Sequence, residues 1–156
     1  MAKKTIICDV DGTIALMKGK RTPFEYHKAD QDEPNVNVIN VVKELASYNK
    51  YHIVFLSARE NKDFSSNKSS FNNTFDLTKK WIEIHVFDRL ESDITWDLIL
   101  RKKGDWRTDW VVKYEIYREQ LENHYNIQYI FDDRDQVVKM WRDIGFTCFQ
   151  VAFGNF

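Results

Sequence analysis

No stretch of this sequence reaches the apolar length of a membrane span, so no membrane-crossing helix is expected. The basic N-terminus, Met1-Ala2-Lys3-Lys4, is followed by an apolar run too short for a secretory signal. Cysteine is scarce. Cys8 and Cys148 fall in the first and last predicted strands, where they suit small buried hydrophobes. Two cysteines without a secretion signal predict a reducing, cytoplasmic setting. The four histidines, His27, His52, His85 and His124, have no zinc-ligand spacing. Charge of one sign is also missing: Lys+Arg 23 against Asp+Glu 24 gives a net charge of −1. Composition alone therefore announces no nucleic-acid binder, although local charge can depart from the total. There is no internal repeat and no inter-domain linker. A length of 156 residues fits one domain, 1–156, with enough chain to bury a core. A hydrophobic content of 43% with 15% aromatics fits a globular chain rather than a disordered one.

What is present alternates. Thr5 to Cys8 is an apolar strand, and a basic loop follows at Lys18-Gly19-Lys20-Arg21-Thr22-Pro23. Helical spacing runs through Val38, Val41, Val42, Leu45 and Tyr48. Tyr51 to Leu56 is β-rich and short, with Ser57-Ala58-Arg59-Glu60 at its tip. Asp63 to Thr74 is polar and reads as a loop, and a helix is predicted from near Phe75 to Ile84. Ile94 to Leu100 predicts a third strand, ending in Arg101-Lys102-Lys103-Gly104. Thr108 or Asp109 can cap a helix continuing to about His124. Ile127 to Phe131 and Thr147 to Val151 are the last two strands, separated by a helix marked by Val137, Val138, Trp141 and Ile144. Strands alternating with helices predict an α/β fold with a parallel five-stranded sheet flanked by helices.

The chemistry-bearing residues cluster. Asp9-Val10-Asp11-Gly12-Thr13 places two carboxylates at one strand tip, looking to the same side, before Gly12 turns the chain away. Like charges held this close repel unless a cation or a shared proton relieves them. Such a pair suits one nucleophile and one acid/base. Ser57/Arg59, Arg101 to Lys103 and Asp132/Asp133 also follow strand ends. Four polar clusters at the C-terminal edge of one sheet mark the edge where open α/β folds bind ligands.

The D-x-D-G-T block, a strand-terminal Ser, a helical Lys and a D-D pair, in this order, resemble the motifs of haloacid dehalogenase (HAD) superfamily phosphatases. The resemblance implies a HAD-like Rossmannoid fold. It makes Asp9 the nucleophile that forms an aspartyl phosphate, and Asp11 the acid/base. Ser57 would donate to a phosphoryl oxygen, and Lys113 would neutralise Asp9 and the phosphoryl charge. Lys102 and Lys103 compete with Lys113 for that role. Asp132 and Asp133, with Asp9 and the backbone carbonyl of Asp11, would hold magnesium.

Longer stretches are similar to the 3′-phosphatase domains typified by that of the T-even bacteriophage polynucleotide kinase/phosphatase. They include Asp9 to Ala15, Ser57 to Glu60, Thr78 to Trp81, Gly104 to Lys113, Asp132 to Gly145 and Gln150 to Phe156. The match lapses from His85 to Asp93, and Ala58 stands where that family has glycine. It implies substrate-binding roles for Arg59, Asp109 and a loop cation, which is Arg21 with a one-residue insertion or Lys20 without it. It also implies hydrolysis of 3′-phosphate ends of DNA or RNA, extending to 2′,3′-cyclic phosphates, with a kinase or ligase supplied separately. No G-x-x-x-x-G-K-[ST] loop occurs, so phosphorylation of 5′ ends is not expected of this chain. The short insert between the first two motifs predicts a minimal cap. Lys18, Lys20, Arg21, Arg59, Lys62, Lys68, Arg101, Lys102, Lys103 and Arg107 are expected as a basic rim for a phosphodiester backbone. Phe24, Tyr26, Trp106 and Trp110 are candidates for base stacking. The competing readings are a small-molecule HAD phosphatase, such as a nucleotidase, and a catalytically dead interaction module.

Overall fold

Five parallel strands form the centre of the molecule in the order β5-β4-β1-β6-β7. They are β1 (Lys3–Cys8), β4 (His52–Glu60), β5 (Trp96–Arg101), β6 (Tyr125–Asp132) and β7 (Cys148–Gln150). This computed structural model describes residues 1–87 and 93–156. Part of the segment from His85 to Asp93, where the family resemblance lapses, therefore lies outside the described residues.

The alternation of β1 decides what packs where. Ile6 and Cys8 join Ile39, Val42, Ala46, Trp81 and Ile82 in one core layer. The helices of that layer are α1 (Val36–Asn49) and α2 (Thr74–His85). Ile7 points the other way and joins Val112, Ile116, Val137, Val138 and Trp141. There the covering helices are α3 (Asp109–Ile116) and α4 (Asp135–Asp143). A sheet covered on both faces needs apolar residues at odd and even positions alike, which is why its strands read as continuous apolar runs. Both cysteines are buried and unpaired, as expected of small core residues.

The chain runs outward from β1 to β4 and β5, then returns to β6 on the other side of β1. This reversal opens a crevice beyond the C-terminal ends of β1 and β6. Asp9 follows β1 directly, and Asp132 ends β6. The fold therefore brings carboxylates more than a hundred residues apart to one crevice.

Several boundaries differ from expectation. β4 runs on to Glu60, so Ser57 and Arg59 belong to the strand rather than to a turn beyond it. β5 begins at Trp96 and includes Arg101. α3 passes at Tyr117 into a π-helical turn, Tyr117–Leu121, which carries the helical path nearly to His124. Thr108 occupies the N-cap position of α3 without a side-chain capping bond. Two small features were not foreseen: a 3₁₀ helix at Tyr26–Gln31, and a hairpin of β2 (Ala15–Leu16) with β3 (Glu33–Pro34). With the loop between them they form the whole insert between β1 and α1, in keeping with a minimal cap. No described helix is long and apolar enough to cross a membrane.

Candidate active site

Asp9 is buried at the floor of a cleft of about 280 Å³. Its two carboxylate oxygens have different partners. Lys113 Nζ donates to Oδ1 at 2.7 Å, and Thr13 Oγ1 donates to Oδ2 at 2.8 Å. The same ammonium donates to Asp132 Oδ2 at 2.7 Å. Strand alternation explains the meeting: Asp9 follows Ile7, and Asp132 follows Ile130, both on the face that α3 covers. Lys113 sits in the second turn of α3 and is only 3% exposed. Lys102 and Lys103 do not compete for this position, because neither lines the cleft.

Asp133 completes an acidic triad. Asp9, Asp132 and Asp133 each bring one oxygen within 4.8 Å of the others. Burial, then the charge of Asp132, pushes Asp9 well above the usual carboxylate range, against the pull of Lys113. The same two causes push Asp133 up to about 6. The surplus of buried negative charge and the all-oxygen donor set fit a hard divalent cation. Burial and the two acids compete for Lys113 as well; Asp132 and Asp9 win, and the ammonium stays firmly protonated.

Two glycines keep Asp133 in place. Gly12 has φ +78°, and a Cβ there would lie 2.1 Å from Asp133 Oδ2. A Cβ on Gly154 would lie 1.9 Å from the Asp133 backbone oxygen, so the tail after β7 packs against the end of β6 only as glycine. The Gly154 carbonyl then accepts from the Asp135 amide at 2.9 Å.

Asp11 is held differently. Arg59 grips it with Nε to Oδ2 at 2.9 Å and Nη2 to Oδ1 at 2.8 Å. Arg21 Nη2 adds a contact to Oδ1 at 2.8 Å. Burial would raise the Asp11 carboxyl, but Arg59 first and Arg21 second outweigh it and hold it below its usual range. Asp11 is therefore a firmly ionised carboxylate in the free protein.

Both guanidiniums share a further anchor, Asp32. Arg21 binds it in bidentate fashion at 2.7 Å through Nε and Nη2, and Arg59 Nη2 reaches it at 2.9 Å. The Asp32 side chain is fully buried, and Trp81 Nε1 of α2 donates to its backbone carbonyl at 3.0 Å. Thr78 Oγ1, also on α2, accepts from Arg59 Nη1 at 2.9 Å. Asp32 was missed in the sequence because it lies in a polar segment with no periodicity. Its only signal there is an acid in the short insert that also carries Arg21.

The remaining candidates divide. Arg21, not Lys20, reaches the site; Lys20 pairs with Glu33 at 3.0 Å on the surface. Asp109 lines the cleft and pairs with both Arg101 and Arg134. Arg134 was not singled out in the sequence. Arg101 lines the cleft, buried rather than on a rim. Lys103 instead pairs with the exposed Asp63, and Lys102 faces a separate groove beside β5. The three-residue basic patch is thus split by the end of a strand. Of the wider rim, only Arg21, Arg59 and Arg101 reach the site by lining the cleft or pairing with Asp11. Ser57 is buried; its Oγ accepts from the Arg59 amide at 3.1 Å, and it does not line the cleft. Phe24 and Tyr26 line the cleft, whereas Trp106 and Trp110 do not.

A buried carboxylate with one oxygen on a cation, beside a clamped second carboxylate and an acidic triad, is equipped to attack an electrophilic centre and to manage negative charge there. Known proteins resemble this chain over nearly its whole length. A solved structure of a Pnkp1/Rnl/Hen1 complex contains a chain that superposes with a TM-score of 0.83 at 33% identity, covering 99% of this chain and 48% of that one. A second, of the Pnkp1/Rnl/Hen1 RNA repair complex, gives 0.81 at 33% identity, covering 99% and 44%. A putative bifunctional polynucleotide kinase/RNA ligase of Autographa californica nuclear polyhedrosis virus is 31% identical over 142 residues, 90% of this chain and 18% of the relative. The chain thus spans less than half of those solved chains and under a fifth of the viral relative. The model of the polynucleotide kinase PNKP phosphatase domain, a HAD family, matches residues 3–156, and the chain belongs to that family.

Proposed function

We propose that this protein is a magnesium-dependent polynucleotide 3′-phosphatase. The observation that carries the reading is Asp9: buried, joined to Lys113 and Thr13, and facing a cleft with Asp11, Asp132 and Asp133. Asp9 attacks the terminal phosphorus, and the bond from phosphorus to the 3′ oxygen breaks. Asp11, which takes up a proton from solvent once the substrate phosphate draws its arginines away, gives that proton to the departing oxygen, leaving a 3′-hydroxyl and an aspartyl phosphate. Asp11 then takes a proton from water, which attacks the phosphorus and releases inorganic phosphate and Asp9.

The clamp on Asp11 gives these steps an order. While Arg59 and Arg21 hold it, Asp11 stays ionised. A phosphoryl dianion competes for the same guanidiniums, and each one that turns to phosphate frees Asp11 to carry a proton. Asp32 keeps both arginines poised through the exchange. Lys113 stays on Asp9 and Asp132, where it neutralises charge as phosphorus becomes bonded to Asp9. Asp9, Asp132 and Asp133 would hold the magnesium ion, which when bound neutralises phosphoryl oxygens.

The names of the relatives, an RNA ligase and an RNA repair complex, favour RNA ends as substrate. They also favour a ligase and a kinase acting with this phosphatase, because sealing needs a 3′-hydroxyl and a 5′-phosphate. The test is phosphate release from a 3′-phosphorylated oligonucleotide with magnesium and with excess chelator. Chelation and Asp9→Asn should each abolish release, while Asp9→Asn keeps the fold. Full activity of either would overturn the reading.

A further inference from the structure

The cleft has an apolar flank that the phosphate chemistry does not use. Met17, Pro23, Phe24, Tyr26 and Phe156 line it together with the carboxylates and arginines. Phe24 is 78% exposed, an unusual position for a phenylalanine. It is not exposed because its loop is loose. Three residues earlier, Arg21 is buried and locked to Asp11 and Asp32. One residue later, Glu25 accepts from the Thr22 amide at 2.9 Å and from Lys28 Nζ at 2.6 Å. Pro23 fixes φ between these two ties. The phenyl ring is thus presented at the cleft by a turn pinned on both sides.

The basic rim that would have explained affinity for a polymer is largely absent from this cleft, since Lys20, Lys102 and Lys103 all lie off it. Affinity for more than a terminal phosphate needs another source. The chemical groups next to a 3′-phosphate are a sugar and a base, and a base offers a flat π-face. Of the flank residues Met17, Pro23, Phe24, Tyr26 and Phe156, only Tyr26 carries a side-chain group able to hydrogen-bond a base edge strongly, and the Phe24 ring itself can stack a base without reading its identity.

We infer that Phe24 is a stacking platform for the base of the 3′-terminal nucleotide, tolerant of which base it is. This rests on the cleft being a polynucleotide-end site, and it adds the part of that substrate recognised beyond phosphate. Stacking contacts are far less sensitive to salt than phosphate contacts, whose loss with salt follows counterion release.

The experiment compares oligonucleotide 3′-phosphates that differ only in their last nucleotide, with a base or abasic. For the wild type, kcat/KM should favour the base-bearing substrate by about 5-fold to about 150-fold, the range for one base–aromatic stack. The ratio should be carried mainly by KM, hold from low to high salt, and vary little among the four bases. Phe24→Ala should bring the ratio near 1, Phe24→Trp should keep it, and Trp106→Ala, at an exposed residue off the cleft, should keep it. The same pairs are measured in parallel as 3′-hydroxyl products by fluorescence anisotropy. A base preference in binding that Phe24→Ala abolishes upholds the platform even if nothing is hydrolysed, in which case only the phosphatase reading falls. Equal treatment of base and abasic ends by the wild type, or an unchanged preference in Phe24→Ala, overturns the platform.

Discussion

Replacing Lys113 with methionine keeps most of the side chain's volume and removes one buried positive charge. That charge lies 2.7 Å from both Asp9 and Asp132, and all three side chains are at most 7% exposed. Its loss leaves two buried carboxylates facing each other, with Asp133 close by. Breaking a buried ion pair by removing one partner costs about 3–5 kcal/mol. In a domain of this size each kcal/mol shifts Tm by about 2–4 °C, so the metal-free variant should melt about 6–20 °C lower near pH 7. Two perturbations should reverse the loss. Asp9→Asn in the Lys113→Met background removes one of the opposed charges and should recover a large part of Tm. Magnesium should raise Tm more in Lys113→Met than in the wild type, because a cation then supplies the missing charge. Thermal unfolding followed by circular dichroism, with and without chelator, reads each of these states. Turnover should fall by about 10²–10³ with magnesium present, the scale of one lost electrostatic stabiliser. A metal-free Lys113→Met protein that melts within 2 °C of the wild type would refute the reasoning, since the ammonium would not then be neutralising those acids.

Other substitutions probe the supports of the site. Gly12→Ala and Gly154→Ala should each cut kcat/KM sharply, because either added methyl group displaces Asp133; a wild-type rate for both would show that the close packing is not needed. Asp32→Asn should destabilise the fold by about 3–5 kcal/mol in a denaturant titration, since it strips the shared anchor from two buried guanidiniums. A loss under 1 kcal/mol would contradict that role. The metal-free protein should also respond to pH through Asp133, whose folded-state value of about 6 lies above the ordinary 3.8. Between those values the folded state binds more protons than the unfolded, so stability falls as pH rises through the window. The melting temperature of the chelated protein should therefore climb from about pH 6 toward pH 4 relative to Asp133→Asn, and magnesium should flatten the difference.

The parts of this molecule that were legible beforehand are those where a short-range pattern forces a long-range result. A β-rich run ending in D-x-D-G-T, and another ending in D-D, place their acids at strand tips whatever the rest of the chain does. Parallel order then brings the tips together. Lys113 was legible through its motif, but its position between two acids depends on which face of the sheet α3 covers. What stayed hidden was decided by tertiary packing. Strands of two residues have no periodicity, so the β2–β3 hairpin left no trace, and Asp32 beside it looked like any loop acid. Arg101, Lys102 and Lys103 read as one basic patch, yet β5 ends at Arg101 and sends the first into the cleft and the other two away from it. Aromatics near the motifs in sequence could not be sorted either, because exposure at the cleft depends on how the turn carrying Phe24 is tied down.

Hydrolysis of 3′-phosphate ends is tested most directly by inorganic phosphate release from two isomeric oligoribonucleotides, one phosphorylated only at its 3′ end and one only at its 5′ end. With magnesium, the wild type should release phosphate from the 3′ isomer, scarcely from the 5′ isomer, and from neither after Asp9→Asn. Equal release from both ends, or release from the 3′ isomer that survives Asp9→Asn, would contradict it.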